Sequence, residues 1–233
     1  MFVSLIIPAC NEEKYIGTCL ESVMGQTSAP DEVIVVENAS MDRTAEIARR
    51  FSVQVIREER EGRIPARNRG FDIAKGDVLA RTDADSILPD TWIEMIRSDF
   101  ADPEIDAVTG PVLFNGKLPS TTLYANAYLD FVRFLQGGEE ALVGGNMALR
   151  QTIWKKVRER VCLDDRKVHE DLDLSMCIHA VGGHILRDRK LIVEVSNRRI
   201  VGNPLSFFGK YPVRFLETFA FNRKRLREWG GKL

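Results

Sequence analysis

Several classes of protein are excluded by what this sequence lacks. No stretch approaches the ~18 to 20 consecutive apolar residues of a spanning helix. The N-terminus enters a strand-like run at residues 2–7 without a basic leader. A cytoplasmic chain is expected, neither secreted nor membrane-spanning. Cysteine is sparse: Cys10, Cys19, Cys162 and Cys177 are four in 233 residues and form no CxxC pair. That argues against a disulfide framework or a structural zinc site. Net charge is almost absent, with 33 Lys and Arg against 34 Asp and Glu. No basic field exists to hold a polyanion, so nucleic acid is not an expected partner. The common phosphate-loop signatures are missing as well. No GxGxxG follows a strand, and residues 110–117 are one position too long for a P-loop, with Leu118 where Ser or Thr is required. There is no GxSxG elbow. Dehydrogenases, P-loop NTPases and serine hydrolases are disfavoured.

What is present is an alternation of short β-branched runs with helical spacing, which predicts an α/β fold with a mainly parallel sheet flanked by helices. Strands are expected at residues 3–8, 32–36, 53–56, 77–81 and from 107 to 109. Helices are expected at 12–24, from Ser40 or Asp42 to 50, at 66–74 and from Pro89 to 100. Gly76 stands just past a helix end, where a left-handed residue is wanted. Beyond residue 110 the rhythm changes. A helix at 120–135, a turn at Gly137 and Gly138, a short segment at 144–149, a helix at 165–179 and a β-rich stretch at 185–195 suggest a second lobe. A broken helix with Pro212 as kink or restart follows at 205–229. The expected organisation is one domain over residues 1–233, with lobes at 1–110 and 111–200 and a tail at 201–233.

Ligands of open α/β sheets bind beyond the carboxyl ends of the strands. Four segments with unusual chemistry fall there and would gather on one rim: residues 8–13, 37–42, 62–70 and 82–86. Asp83-Ala84-Asp85 is the most pointed, because two carboxylates at a strand end can hold a hard divalent cation that neutralises a diphosphate. An isolated DxD also serves as strand-end and helix-capping acids, so alone it decides little. A second cluster, Glu170, Asp171 and Asp173, opens a helix. Acids there complement the helix dipole by about 0.3 to 1 kcal/mol each. One of them facing the rim would be a general base. Gly144-Gly145-Asn146 would form the wall, its glycines allowing the backbone close to a ligand.

In order and spacing these segments resemble the inverting glycosyltransferases of family two, which have the GT-A fold, over most of the chain. Residues 4–13, residues 35–44, Ala66-Arg67-Asn68-Arg69-Gly70 and Asp83-Ala84-Asp85 are similar to the family's nucleotide half. Gly144-Gly145-Asn146 and Glu170-Asp171 are similar to its acceptor half. The resemblance implies a nucleotide-diphospho-sugar donor, a UDP- or GDP-sugar. Pro8, Ala9, Asn11, Glu12 and Asn38 would lie around base and ribose, with Arg67 nearby. Asp83 would contact the nucleotide sugar or metal-bound water, and Asp85 would hold Mg2+ or Mn2+. Ala84, Gly144, Gly145, Asn146 and Glu170 would line the substrate site. Asp171 would be the catalytic base, taking a proton from an acceptor hydroxyl of a glycan, lipid-linked or other molecule.

Asn38 stands where the family commonly has an acid, and Ser86 follows the DxD where a further acid is frequent. Arg198 and Arg199 would contact diphosphate or acceptor, or lie on the surface as paired arginines commonly do. Processive members often carry Gln-x-x-Arg-Trp, whereas this tail reads Arg225-Leu226-Arg227-Glu228-Trp229, without the Gln. Transfer of one sugar per encounter is therefore expected. The tail holds seven Lys or Arg against two Asp or Glu, interleaved with aromatics. It reads either as a helix packed on the acceptor lobe or as a contact with the inner membrane face. Two other functions remain open at this point: a nucleotidyltransferase making nucleotide sugars, and a catalytically silent sugar-nucleotide-binding protein.

Overall fold

The computed structural model describes residues 1–115, 122–198 and 211–228. Strand β1 (Val3–Ala9) sends Val3, Leu5, Ile7 and Ala9 into one apolar cluster and Ile6 into another. This is the period-two alternation of a strand buried on both faces. Its neighbours are β2 (Glu32–Asn38) and β4 (Val78–Thr82), both parallel to it, with β3 (Gln54–Glu58) parallel to β2 at the edge. Helices α1 (Ile16–Met24) and α4 (Trp92–Asp99) cover the first face, and α2 (Thr44–Ala48) adds Ala48 to it. The second face is covered by α3 (Arg63–Ile73), α6 (Gln151–Val157) and α7 (Glu170–Ala180).

The sheet continues past residue 110. Strand β8 (Asn146–Arg150) inserts antiparallel between β4 and β6 (Ala107–Thr109), and β9 (Ile185–Arg187) pairs parallel with β6. The order is β3-β2-β1-β4-β8-β6-β9. A smaller sheet joins β5 (Ser86–Ile87) and β7 (Val112–Asn115) to opposite edges of β10 (Val193–Ser196). The expected lobe boundary at 110 therefore falls between strands that share one sheet.

Several helix bounds differ from expectation for local reasons. Residues 12–15 form a turn instead of helix, with the Glu12 carbonyl accepting from the Tyr15 and Ile16 N–H groups at 2.9 Å. Helix α3 begins earlier than expected, after Gly62 at φ 134°, where a Cβ would lie 2.1 Å from Asp165 Oδ2. Asp165 in turn accepts from the Ile64 N–H at 3.2 Å. Its carboxylate thus serves the start of α3, and α7 begins only at Glu170. Pro89 lies in a turn before α4, its carbonyl accepting from the Trp92 N–H at 3.1 Å. Gly76 is not left-handed. It is small because a Cβ there would sit 2.7 Å from the Ser4 nitrogen.

Helices α5 (Thr122–Leu135) and α8 (Tyr211–Glu228) meet around Val132, Ala141 and Leu172, against which Phe215 and Phe219 pack. Helix α8 also docks on α7. Arg225 pairs with the buried Asp173, Thr218 Oγ1 accepts from the His169 N–H at 2.8 Å, and Leu226 is fully buried. The earlier part of the expected tail helix, 205–210, and Trp229 lie outside the described residues. Among the described residues no helix is long and apolar enough to cross a membrane.

Candidate active site

The carboxyl ends of β1 and β2 are laced together by their own loops. The Asn11 N–H donates to Ser40 Oγ at 3.1 Å, and Asn11 Oδ1 accepts from the Met41 N–H at 2.9 Å. The Glu12 N–H donates to Thr44 Oγ1 at 2.7 Å and the Glu13 N–H to Asp42 Oδ2 at 3.0 Å. This lacing needs two left-handed residues, Asn11 at φ 55° and Ala39 at φ 53°. Asn tolerates that region; Ala there is strained by on the order of 1 kcal/mol. The neighbouring hydrogen bond from the Ser40 N–H to the Glu37 carboxylate helps to hold the turn.

Beside this rim, the loop after β4 carries Asp83 and Asp85. Asp85 is buried and its Oδ2 lies 3.2 Å from Arg198 Nε. The same guanidinium pairs with Glu12 and lies 4.7 Å over the Tyr15 ring. Two residues distant in sequence are thereby joined through one arginine. A cavity of about 310 Å³ opens next to it, lined by Asn11, Glu13, Lys14, Tyr15, Asp42 and Arg198. Behind the two aspartates sits Cys19, whose thiol is pushed up to about 12 by burial and by the charges of Asp85 and Asp83. It is inert packing.

The second acidic cluster reaches the first through a glycine pair. The Gly144 N–H donates to Asp171 Oδ2 at 3.2 Å, and a Cβ on Gly145 would lie 3.4 Å from Asp83 Oδ2. Asp171 also accepts from its neighbour's N–H, Leu172, at 2.8 Å. Its carboxyl is raised above the usual range by burial first and by the Glu170 charge second, against the pull of these N–H groups. Glu170 shows the opposite outcome. Burial alone would raise it, but Arg81 Nη1 at 2.6 Å and Arg67 Nη1 at 3.1 Å outweigh burial and hold it at about 2. Arg81 Nη2 also reaches Asp83 Oδ1 at 3.3 Å. A chain of charges thus runs Arg67, Glu170, Arg81, Asp83 beneath the rim.

Not every expected site residue faces this rim. Asn38 donates to the Glu58 and Arg60 carbonyls at 2.9 and 2.7 Å and accepts from the Gly62 N–H at 2.9 Å. Its amide ties β2 to the loop after β3 and is not free to read a base. Asn146 is fully buried, donating to the Pro111 and Leu191 carbonyls at 3.1 and 2.6 Å and accepting from Trp92 Nε1 at 2.9 Å. It is a core amide and not a wall. Arg67 is fully buried, and its guanidinium is spent on Asn68, Glu170 and the Glu170 carbonyl. It therefore has no surface for a nucleotide, and Glu170, clamped by two arginines, has none for an acceptor. Ala9 and Ala84 turn their methyls into the core, leaving only backbone to the rim. Pro8 is half-buried and Asn11 exposed at the strand end.

Two arginines carry more of the site than the sequence suggested. Arg81 lies in a strand buried along its whole length and shares the parity of Asp83, and a charge in so buried a run needs an acidic partner. Arg198, expected either at diphosphate or acceptor or on the surface, contacts both Glu12 and Asp85. Its neighbour Arg199 lies outside the described residues. Among the described residues no group of three His, Cys, Asp or Glu converges. The carboxylates a cation would use are those of Asp83 and Asp85, which pair here with Arg81 and Arg198. This fits a hard ion held by one or two carboxylates and completed by phosphate oxygens and water.

Sheet order, strand-end acids and the acidic helix start describe an α/β fold with a mainly parallel sheet whose strand ends carry an acidic rim. Two solved structures share that fold. The mannosyltransferase PcManGT from Pyrobaculum calidifontis, solved with GDP-Man and Mn2+, aligns with a TM-score of 0.66 at 23% identity, covering 83% of this chain and 56% of that one. The glucosyl-3-phosphoglycerate synthase from Mycobacterium tuberculosis, solved with Mn2+, UDP and phosphoglyceric acid, aligns with a TM-score of 0.66 at 18% identity, covering 89% and 78%. In sequence, Glycosyltransferase AglE of Haloferax volcanii is 40% identical over 121 residues, 48% of this chain and 40% of that protein. The probable glycosyltransferase YdaM of Bacillus subtilis is 30% identical over 203 residues, 78% of this chain and 48% of that protein. The chain spans less than half the length of these curated relatives. It belongs to glycosyl transferase family 2, whose profile matches residues 4–158.

Proposed function

We propose that this chain moves a sugar from a nucleotide-diphospho-sugar to an acceptor hydroxyl by a single displacement that inverts the anomeric centre. The observation that carries the reading is the bridge by which Gly144 and Gly145 hold Asp171 on one side and approach Asp83 on the other. A base and a donor-side acid separated by one dipeptide suit a reaction in which the acceptor oxygen attacks as the nucleotide leaves. Asp171 takes the hydroxyl proton, the acceptor oxygen bonds to the anomeric carbon, and the bond from that carbon to the diphosphate oxygen breaks. Asp83, aimed by Arg81, faces the sugar side of the donor. The strand-end backbone at Pro8, Ala9 and Asn11 lines the nucleoside.

Asp85, with Asp83 beside it, is the pair that would hold Mg2+ or Mn2+. Bound there, the ion would offset charge developing on the departing diphosphate. The relatives solved with Mn2+ and with GDP-Man or UDP support a divalent ion and a GDP- or UDP-sugar. A membrane contact through α8 would have to use its outward residues Val213, Leu216, Arg223 and Lys224, because the opposite side packs on α7.

The test is a thermal-shift screen against UDP-, GDP- and TDP-sugars, each with Mn2+, Mg2+ or EDTA. A ligand at about 100 times its Kd adds roughly 2.7 kcal/mol to apparent stability. The expected result is a metal-dependent upshift with one donor, lost in Asp85→Ala. A folded sample that no donor shifts overturns the reading. The anomeric configuration of the product, read by NMR once an acceptor is found, tests inversion.

A further inference from the structure

Arg198 is placed too well for a surface arginine. The strand before it is registered on the segment that carries the DxD: Val195 pairs with Ser86, and the Ser196 N–H donates to the Asp85 carbonyl at 3.1 Å. The Arg198 N–H then donates to Ser196 Oγ at 3.3 Å. From that anchored backbone the guanidinium spans two carboxylates from different strand ends, Nη2 on Glu12 and Nε 3.2 Å from Asp85 Oδ2, with its carbon 4.7 Å from the Tyr15 ring centroid. Both acids are buried, and buried like charges brought this near each other are stabilised by a cation or a proton between them. Arg198 supplies a cation to both.

We propose that Arg198 is the built-in counter-ion of the donor site. With no donor bound it neutralises Glu12 and Asp85. When the donor arrives it gives up Asp85 and turns its guanidinium to the diphosphate. This rests on the donor-site reading given above and adds to it a competition. A divalent cation on Asp85 would lie within a few ångströms of a positive guanidinium, and like charges at that spacing disfavour each other. Arg198 therefore weakens cation binding to the empty site and strengthens binding of the diphosphate. The cavity beside Tyr15 gives the side chain room for the change. A planar fork suits both partners, since it matches carboxylate and phosphate alike.

The experiment is a titration of the donor-free protein with Mn2+, the free ion being read by electron paramagnetic resonance, followed by titration of UDP and of GDP with Mn2+ present. Arg198→Gln is expected to bind Mn2+ roughly tenfold tighter than the natural protein without nucleotide, and to bind the preferred nucleoside diphosphate roughly tenfold more weakly. Tyr15→Leu, which keeps the charge and removes the stacked ring, should tighten Mn2+ binding by a smaller factor. It also serves should Arg198→Gln not fold. Unchanged or weaker Mn2+ binding in a folded Arg198→Gln or Tyr15→Leu variant overturns the proposal. Asp85→Ala separates the two layers: if it retains natural Mn2+ affinity, the carboxylate is not the cation site and the donor-site reading itself fails.

Discussion

Glu170 and Asp171 are neighbours at the start of α7 whose carboxyl groups are driven in opposite directions. Glu170 is clamped by Arg81 and Arg67 and held at about 2, whereas Asp171 is raised by burial and by the charge of Glu170 itself. Pairs of acids pushed apart in this way mark a division of labour. The acid held low is a structural anion and the acid held high is suited to take a proton.

The two substitutions should therefore fail differently. Asp171→Asn keeps the fold and donor binding and lowers turnover by about 10² to 10⁴. Glu170→Gln leaves two buried arginines short of a counter-charge and lowers stability by about 3 to 5 kcal/mol. Urea unfolding and donor binding, measured beside the rate, separate them. A stable, merely slow Glu170→Gln would contradict the clamp.

The raised carboxyl of Asp171 also sets a pH dependence. As the proposed base, Asp171 can accept the acceptor proton only as a carboxylate, so turnover is expected to fall as pH drops through the raised value. The acid limb of the kcat profile should lie above the ~3.9 of an ordinary aspartate. Glu170 contributes in the other sense to stability. Its folded value lies below the ordinary 4.5, so it stabilises fully above about 4.5 and that share is lost as pH falls toward 2. Loss of activity on mild acidification should precede loss of fold, with circular dichroism unchanged where the rate has already dropped.

Asn146 should behave as a core residue. Removing its amide in Asn146→Ala strands the Pro111 and Leu191 carbonyls and the Trp92 indole N–H at a fully buried position. Each orphaned group costs about 1 to 3 kcal/mol. The expected outcome is a loss of several kcal/mol in urea unfolding. Donor affinity measured well below the melting temperature should stay near natural. A selective loss of donor binding with stability intact would return Asn146 to the substrate wall.

That residue shows where sequence reading succeeds and where it stops. The alternation of strands and helices was legible because burial on two faces leaves a short apolar run in a strand such as β1, and burial of one face leaves a 3.6-residue spacing in a helix such as α1. The acids at strand ends were legible because topology puts such positions on one rim. Side-chain direction was not. Asn38 and Asn146 are polar residues in glycine- or acid-rich company, which looks the same in sequence whether the amide meets a ligand or a buried carbonyl. Arg81 was passed over, and Arg198 left undecided between a ligand and the surface, for the complementary reason: their partners lie 89 and 186 positions away, at Glu170 and Glu12. The inserted β8 was hidden because antiparallel pairing with β4 and β6 is a long-range choice that no local pattern records.

Away from the rim, one acid opposes the fold at neutral pH. Asp99, at the end of α4, is raised to about 6 by burial and by Asp188, and its Oδ2 has no hydrogen-bond partner among the described residues. A folded value above the ordinary 3.8 means that the native state holds the proton more tightly than the unfolded chain. Stability is therefore lost as pH rises from about 4 to about 6, and the loss is complete above that. Asp99→Asn removes the charge without changing shape. It should leave stability unaltered near pH 4 and raise it by about 1 kcal/mol at pH 8, a figure discounted for the part of the side chain that water screens. Urea unfolding at the two pH values measures the difference. A gain of equal size at both would assign the effect to hydrogen bonding and not to the buried charge.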